Sequence, residues 1–174
     1  GPHVAKKLVQ KFDVKVFEVI ESDPESLRQI QGLGKVRIEK IISAWGDQKI
    51  VRDIMVFLQS HGVSTAKSVR IFKTYGKDAI EKVKTNPYRL AKDITGIGFK
   101  SADIIATNLG ISKTSIIRAR AGINHVLMER VSQGHCAYPE ALLISESEDL
   151  LKIDALVLKE AIELAIRLGF KQIF

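Results

Sequence analysis

The chain has 174 residues, 45% hydrophobic but only 6% aromatic, with a formal net charge of +7 and a pI near 9.5. Cys136 is its single cysteine, which excludes an internal disulfide, and no stretch reads as a membrane span or a signal peptide, so the cytosol is the expected location. Few aromatics among many Ile, Leu, Ala, Lys and Glu favour an all-α fold over a β-sandwich, and the basic balance points to a polyanionic partner, nucleic acid first.

From the amino end, Gly1-Pro2-His3-Val4-Ala5-Lys6-Lys7-Leu8 reads as the second half of a hairpin between two helices, the first half being cut off. Val14-Phe17-Val19-Ile20 marks a short helix leading to Asp23-Pro24, where the residue before proline resists the α region and the chain turns. Ile30 to Ile41 holds Gly32-Leu33-Gly34 and then apolar residues four and seven positions past the second glycine, a spacing that puts them on one helix face. Ile50-Ile54-Phe57-Leu58 marks a longer helix. His61-Gly62-Val63-Ser64 resembles a weaker hairpin in which Ser64 replaces the second glycine. Ala79-Ile80-Val83 then leads to Asn86-Pro87, and Ile94 to Ile105 carries the second strong site, Gly96-Ile97-Gly98. Ile116 to Val131, Pro139 to Leu150 and Asp154 to Leu168 predict three further helices, the last with Asp154 as its N-cap. Gly169 to Phe174 alternates and predicts the start of a strand, so the tail reads as a helical or winged-helix-like piece.

These segments form an internal repeat. Leu8, Phe12, Pro24 and Leu27 fall on Ile71, Tyr75, Pro87 and Leu90 at a shift of 63 (87 − 24 = 63). Gly32, Ile38, Ile41 and Gly46 fall on Gly96, Ala102, Ile105 and Gly110 at a shift of 64 (96 − 32 = 64). The expected organisation is residues 1–60 as one hairpin pair, 61–125 as a second, and 126–174 outside the repeat. Gly1 falls opposite Ser64, which favours a native residue there over a cloning scar.

The two Gly-x-Gly sites carry the functional expectation. A tight turn between helices needs backbone angles that glycine visits cheaply, and a glycine without a Cβ lets another backbone come close. The second glycine opens a helix whose first amides point outward unpaired, at the positive end of the helix dipole, where a phosphate fits. Gly32, Leu33, Gly34, Gly96, Ile97 and Gly98 are therefore candidate DNA-binding residues. Lys35, Arg37, Lys40, Lys100 and Ser101 stand beside them, and Ser64 and Lys67 belong to the weaker hairpin. Leu33 and Ile97 are expected either to plug into the core or to rest against a groove. A valine at Gly34 or Gly98 is expected both to block the amides and to strain the turn. Contacts of this kind position a protein on a sugar-phosphate backbone without reading bases.

The pattern resembles the helix-hairpin-helix motif of DNA repair and replication proteins. Met55-Val56-Phe57-Leu58-Gln59-Ser60-His61-Gly62-Val63, Asn86-Pro87-Tyr88-Arg89-Leu90, Gly96 to Asp103 and Gln133-Gly134-His135 make most of the chain similar to long bacterial RecD-like DNA helicases. In that family the region precedes an ATP-driven 5′→3′ motor. The resemblance implies a non-catalytic accessory region that guides single-stranded or forked DNA and partners the motor domains of the same polypeptide. ATP and Mg²⁺ are then expected only at the motor, since no Gly-x-x-x-x-Gly-Lys-Ser/Thr loop occurs here. The alternatives are a protein-docking scaffold within the helicase and the hairpin region of another repair protein.

Elsewhere the plain readings prevail. His61, His125, His135 and Cys136 lack metal-ligand spacing, and Asp23, Glu25 and Asp93 read as caps or turn residues. Trp45 reads as core, and Ser145 to Asp149 as a solvated helix end. No cofactor and no membrane are expected for this chain.

Overall fold

The computed structural model describes residues 1–168, and the fold is all-α. In chain order come α1 (Pro2–Phe12), α2 (Val16–Ser22), α3 (Lys35–Ser60), α4 (Thr65–Tyr75), α5 (Ala79–Thr85) and α6 (Arg89–Asp93). They are followed by α7 (Phe99–Asn108), α8 (Ile116–Ser132), α9 (Glu140–Leu151) and α10 (Ala155–Arg167). Short 3-10 turns lie at Asp13–Lys15, Pro24–Gln29 and Gly76–Asp78. The chain divides into two compact units, Gly1–Asp53 and Ile54–Phe174, with the boundary inside α3. No described helix is long and apolar enough to cross a membrane. The strand expected at 169–174 lies outside the described residues.

The repeat is visible element by element. The pairs α1 and α4, the turns Asp13–Lys15 and Gly76–Asp78, and α2 and α5 each begin 63 residues apart (65 − 2 = 63), whereas α3 and α7 begin 64 apart (99 − 35 = 64). The extra residue falls where the first copy has the 3-10 turn Pro24–Gln29 and the second has α6. A 3-10 helix takes about 3.0 residues per turn and an α-helix about 3.6, so the α form absorbs the insertion. The first core gathers Leu8, Val16, Ile20, Leu27, Ile30, Leu33 and Ile38. Their counterparts Ile71, Ala79, Val83, Leu90, Ile94, Ile97 and Ala102 are all buried in turn.

The copies diverge after the strong hairpin. In the first, α3 runs 26 residues without interruption through Gly46, so the helix expected from Ile50 is its second half. In the second, α7 stops at Asn108, and the Ile111 amide turns back to the Ala106 carbonyl at 3.0 Å. That backward bond satisfies an orphan carbonyl and closes the helix end. The chain then restarts at α8, where the Ser115 hydroxyl accepts from the Arg118 amide.

Helices α8, α9 and α10 pack on one another and form the helical part of the tail. The N-cap expected at Asp154 is present: its carboxylate accepts from the Leu156 amide at 2.9 Å. The Arg118 side chain joins α8 to α7 through Asp103, by Nε to Oδ1 at 2.9 Å and Nη2 to Oδ2 at 3.0 Å. Its Nη1 also donates to the carbonyls of Lys113 and Leu151, at 3.0 and 2.9 Å.

Two expectations are corrected here. Ser145 to Asp149 is not a solvated end: Ser147 is fully buried, and Glu146 accepts two bonds from Arg130, at 3.0 and 2.8 Å, and one from the Tyr138 hydroxyl. The hydrogen bonds from Tyr138 and Arg130 hold the Glu146 carboxyl below its usual range. The helical period alone did not reveal these partners, which come from α8 and the loop after it. Asp93 is more than a turn residue, because it accepts from the Tyr75 hydroxyl at 2.8 Å and ties α6 to α4. Trp45 packs against the first core, as expected, and stacks at 4.6 Å on the exposed ring of Phe17.

Candidate nucleic-acid interface

Both strong hairpins are built alike. Gly32 and Gly96 sit at φ +87° and +89°, a left-handed backbone that costs an ordinary side chain about 1–2 kcal/mol. The next residue turns inward: Leu33 and Ile97 are only 7% and 3% exposed. Their amides donate to the carbonyls of Ile30 and Ile94 at 3.1 Å each. Of the two placements open for Leu33 and Ile97, the core is the one adopted. Neither residue keeps a side chain or an amide to offer a phosphate, so they shape the turn from beneath.

The second glycines behave differently. Gly98 has φ −96° and ψ −179°, extended backbone open to any residue, and Gly34 likewise lies outside the left-handed region. A Cβ built on either meets nothing within 4 Å. The strain expected from a side chain at these positions is therefore absent, because the conformational demand falls on Gly32 and Gly96 instead. What remains is an open approach to the start of a helix. The Gly34 carbonyl takes the Arg37 and Ile38 amides, and the Gly98 carbonyl takes that of Ala102. The amides ahead of these, at Gly34, Lys35 and Val36 and at Gly98, Phe99 and Lys100, have no helical acceptor.

Lys35 and Lys100 are exposed in the first turns of α3 and α7, and Lys40 is exposed in the second turn of α3. Arg37 folds back to donate to the Gly32 carbonyl at 3.1 Å, and Ser101 is half-buried. In the weaker hairpin, Ser64 caps α4 with its own hydroxyl, which accepts from the Lys67 amide at 3.4 Å. One of the amides that glycine would leave open there is thus already covered.

Two basic residues escaped the sequence reading. Lys7 Nζ donates to the Gln31 carbonyl at 2.9 Å, and Arg70 Nη1 donates to the Thr95 carbonyl at 3.0 Å. They are repeat equivalents (70 − 7 = 63), each reaching from the first helix of its pair to the residue before the left-handed glycine. Each neutralises a carbonyl dipole that would otherwise repel an anion, and each adds a positive charge at the hairpin. The signal was present in the alignment of the two copies, as a cation facing a cation. Asn108 Nδ2 covers the corresponding carbonyl of the weaker hairpin, donating to that of His61 at 3.0 Å. Among the described residues no group of His, Cys, Asp and Glu is placed to hold a metal ion.

Comparison with known proteins agrees with this geometry. Residues 47–137 match the family described as the HHH domain of the ATP-dependent RecD2 DNA helicase, and residues 1–47 match the SAM-like helix-hairpin-helix tandem. The ATP-dependent RecD2 DNA helicase of Deinococcus radiodurans is 25% identical over 170 residues, covering 97% of this chain and 24% of the relative. The chain thus spans about a quarter of the length of that curated relative.

Proposed function

Because this chain belongs to the helix-hairpin-helix domain family of ATP-dependent RecD2 DNA helicases, we propose that it is a non-catalytic accessory region gripping DNA by its sugar-phosphate backbone. Phosphates sit at the starts of α3 and α7, against the open amides and beside Lys35 and Lys100. The region guides a single strand or a fork to a 5′→3′ motor elsewhere in the polypeptide, in bacterial DNA repair or recombination in the cytoplasm. ATP and Mg²⁺ serve that motor. The observation that carries the reading is that Gly34 and Gly98 are glycines the fold does not need: their backbone suits any residue and a Cβ would meet nothing. Close approach of a ligand accounts for what packing leaves unexplained.

The test separates binding from stability. Threonine caps a helix about as well as glycine and suits extended backbone, but it places a branched side chain over the amides. Gly34→Thr and Gly98→Thr are expected to change stability by less than about 0.5 kcal/mol and to weaken DNA binding about tenfold each, from the loss of roughly 1–2 kcal/mol of charge-assisted hydrogen bonding. Gly96→Ala should show the opposite pattern on melting, since its left-handed backbone penalises any Cβ. Wild-type affinity in the double threonine variant, by fluorescence anisotropy, would remove the phosphate site from these turns.

The flanking charges give a second expectation. Lys35→Glu and Lys100→Glu each replace attraction by repulsion at an exposed position, so each should cost about 1–2 kcal/mol of binding while the thermal melt barely moves. The losses should shrink in high salt, because phosphate contacts exchange with counterions. A docking scaffold predicts instead unchanged DNA affinity in these variants and defective unwinding in the full-length helicase.

A further inference from the structure

Beside the second hairpin lies a cavity of about 550 Å³, within the range of small-ligand sites, bounded by Gly98 on one side and α8 on the other. We propose that it takes one unpaired nucleobase from a single DNA strand whose phosphate rests on the Gly98 turn. The inference builds on the phosphate reading above and adds a preference for single strands.

Three features of the wall point to that occupant. The first is a column of rings. Tyr88 and Phe99 stack at 5.8 Å and 17°, and Phe99 and His125 stack at 5.2 Å and 15°. The Tyr88 hydroxyl donates to Asp103 at 2.6 Å, which fixes the far end of the column. Tyr88 and Phe99 are buried, whereas His125 is partly exposed and extends the column into the cavity. Flat surfaces of this kind hold a base by stacking without regard to its identity. The hairpin itself does not require the rings: the first copy has Glu25 and Lys35 at the positions of Tyr88 and Phe99 (88 − 63 = 25; 99 − 64 = 35).

Charge is the second feature. Arg89, Lys92 and Arg120 line the cavity, and among the described residues no carboxylate lines it, Glu129 reaching only the Nε2 of His125 at 3.7 Å. Arg89 already pairs with Asp93 at 3.4 Å, so its role is a positive field rather than a vacant donor. The third is continuity, since Gly98 belongs both to the phosphate turn and to the cavity wall. A nucleotide that sets its phosphate on the turn therefore has a recess for its base next to it, and the Asn124 amide there can face a base edge. A base paired within a duplex is not free to enter.

The test uses this chain and three labelled 12-nucleotide probes: a thymidine strand carrying one 2-aminopurine, the same strand made fully abasic, and a duplex. The base-bearing strand is expected to bind about tenfold tighter than the abasic one, as stacking of one base allows, with its 2-aminopurine fluorescence quenched. Ala121→Phe, which fills the cavity from α8, and His125→Ala, which shortens the column, should each bring that strand down to abasic affinity. Both variants should melt near wild type. Equal affinity for base-bearing and abasic strands, with no quenching, overturns the base site and leaves the phosphate site standing. Tighter binding of the duplex than of the single strand also overturns it. Failure of all three probes to bind overturns both readings.

Discussion

Replacing Arg118 with alanine is expected to destabilise the second unit by about 3 kcal/mol at neutral pH, near the lower end of what breaking a buried ion pair costs. The side chain is 9% exposed and its partner Asp103 is 20% exposed, so the pair is screened less than a surface pair but is not sealed from water. The change removes both bonds to Asp103 and leaves the Lys113 and Leu151 carbonyls short of a donor. The pH dependence should identify the cause. Burial by itself would raise the Asp103 carboxyl, but hydrogen bonds from Arg118 and Tyr88 outweigh it and hold the carboxyl below the usual value of 3.8. A carboxylate depressed in the folded state adds stability that is present above its unfolded value and is lost as pH falls through the folded one. The wild type should therefore weaken below pH ~4. In Arg118→Ala the carboxyl keeps its burial and loses its cation, so it is pushed up and the gap to wild type narrows in acid. Urea midpoints followed by far-ultraviolet circular dichroism at pH 7 and pH 3 check this, and a gap that stays constant between them would mean that the loss is one of packing.

Gly122→Leu is expected to cost as much or more, through geometry alone. Gly122 is buried on α8 opposite the Leu151 side chain, and even a single added Cβ would lie 2.6, 2.7 and 2.8 Å from three of its carbons. Leu151 is 1% exposed, so it has no solvent to swing into. Gly122→Ala gains about 1 kcal/mol of helix propensity but faces an overpacking cost of about 1–3 kcal/mol, for a net loss near 1 kcal/mol. The larger leucine forces α8 and α9 apart and should exceed 3 kcal/mol, since it also disturbs the Arg118 bond to the Leu151 carbonyl. A double-mutant cycle with Leu151→Ala provides the control. Leu151→Ala alone should cost about 2–5 kcal/mol, yet combined with Gly122→Ala the total should fall clearly below the sum, because the clash disappears. Additive losses would show that the helices already yield at this point.

The repeat, and with it the frame of both hairpins, was legible in the order of residues alone. Leu8 and Ile71, or Leu33 and Ile97, are buried in matching places because the periodicity that forms each helix also dictates which face is apolar. Helix limits were legible for the same local reason: Asp23-Pro24 and Asp154 act within a few residues of themselves, whereas the Ser115 cap of α8 emerged with the structure. The remaining features depend on how the helices pack. Which glycine of each Gly-x-Gly is a conformational necessity could not be read from two identical letters; φ of +87° and +89° assigns that role to Gly32 and Gly96 and frees Gly34 and Gly98 for another. Lys7 reaches a carbonyl 24 residues away, Arg70 one 25 away and Arg118 one 33 away, bonds that exist only once the helices have crossed. The cavity beside Gly98 arises the same way, because a ring column drawn from the turn before α6, α7 and α8 has no linear signature. Local sequence sets what each helix is and which face it turns inward; the packing of those faces decides which distant side chains meet, Lys7 and Arg70 at the two hairpin turns and Arg118 where α7, α8 and α9 come together.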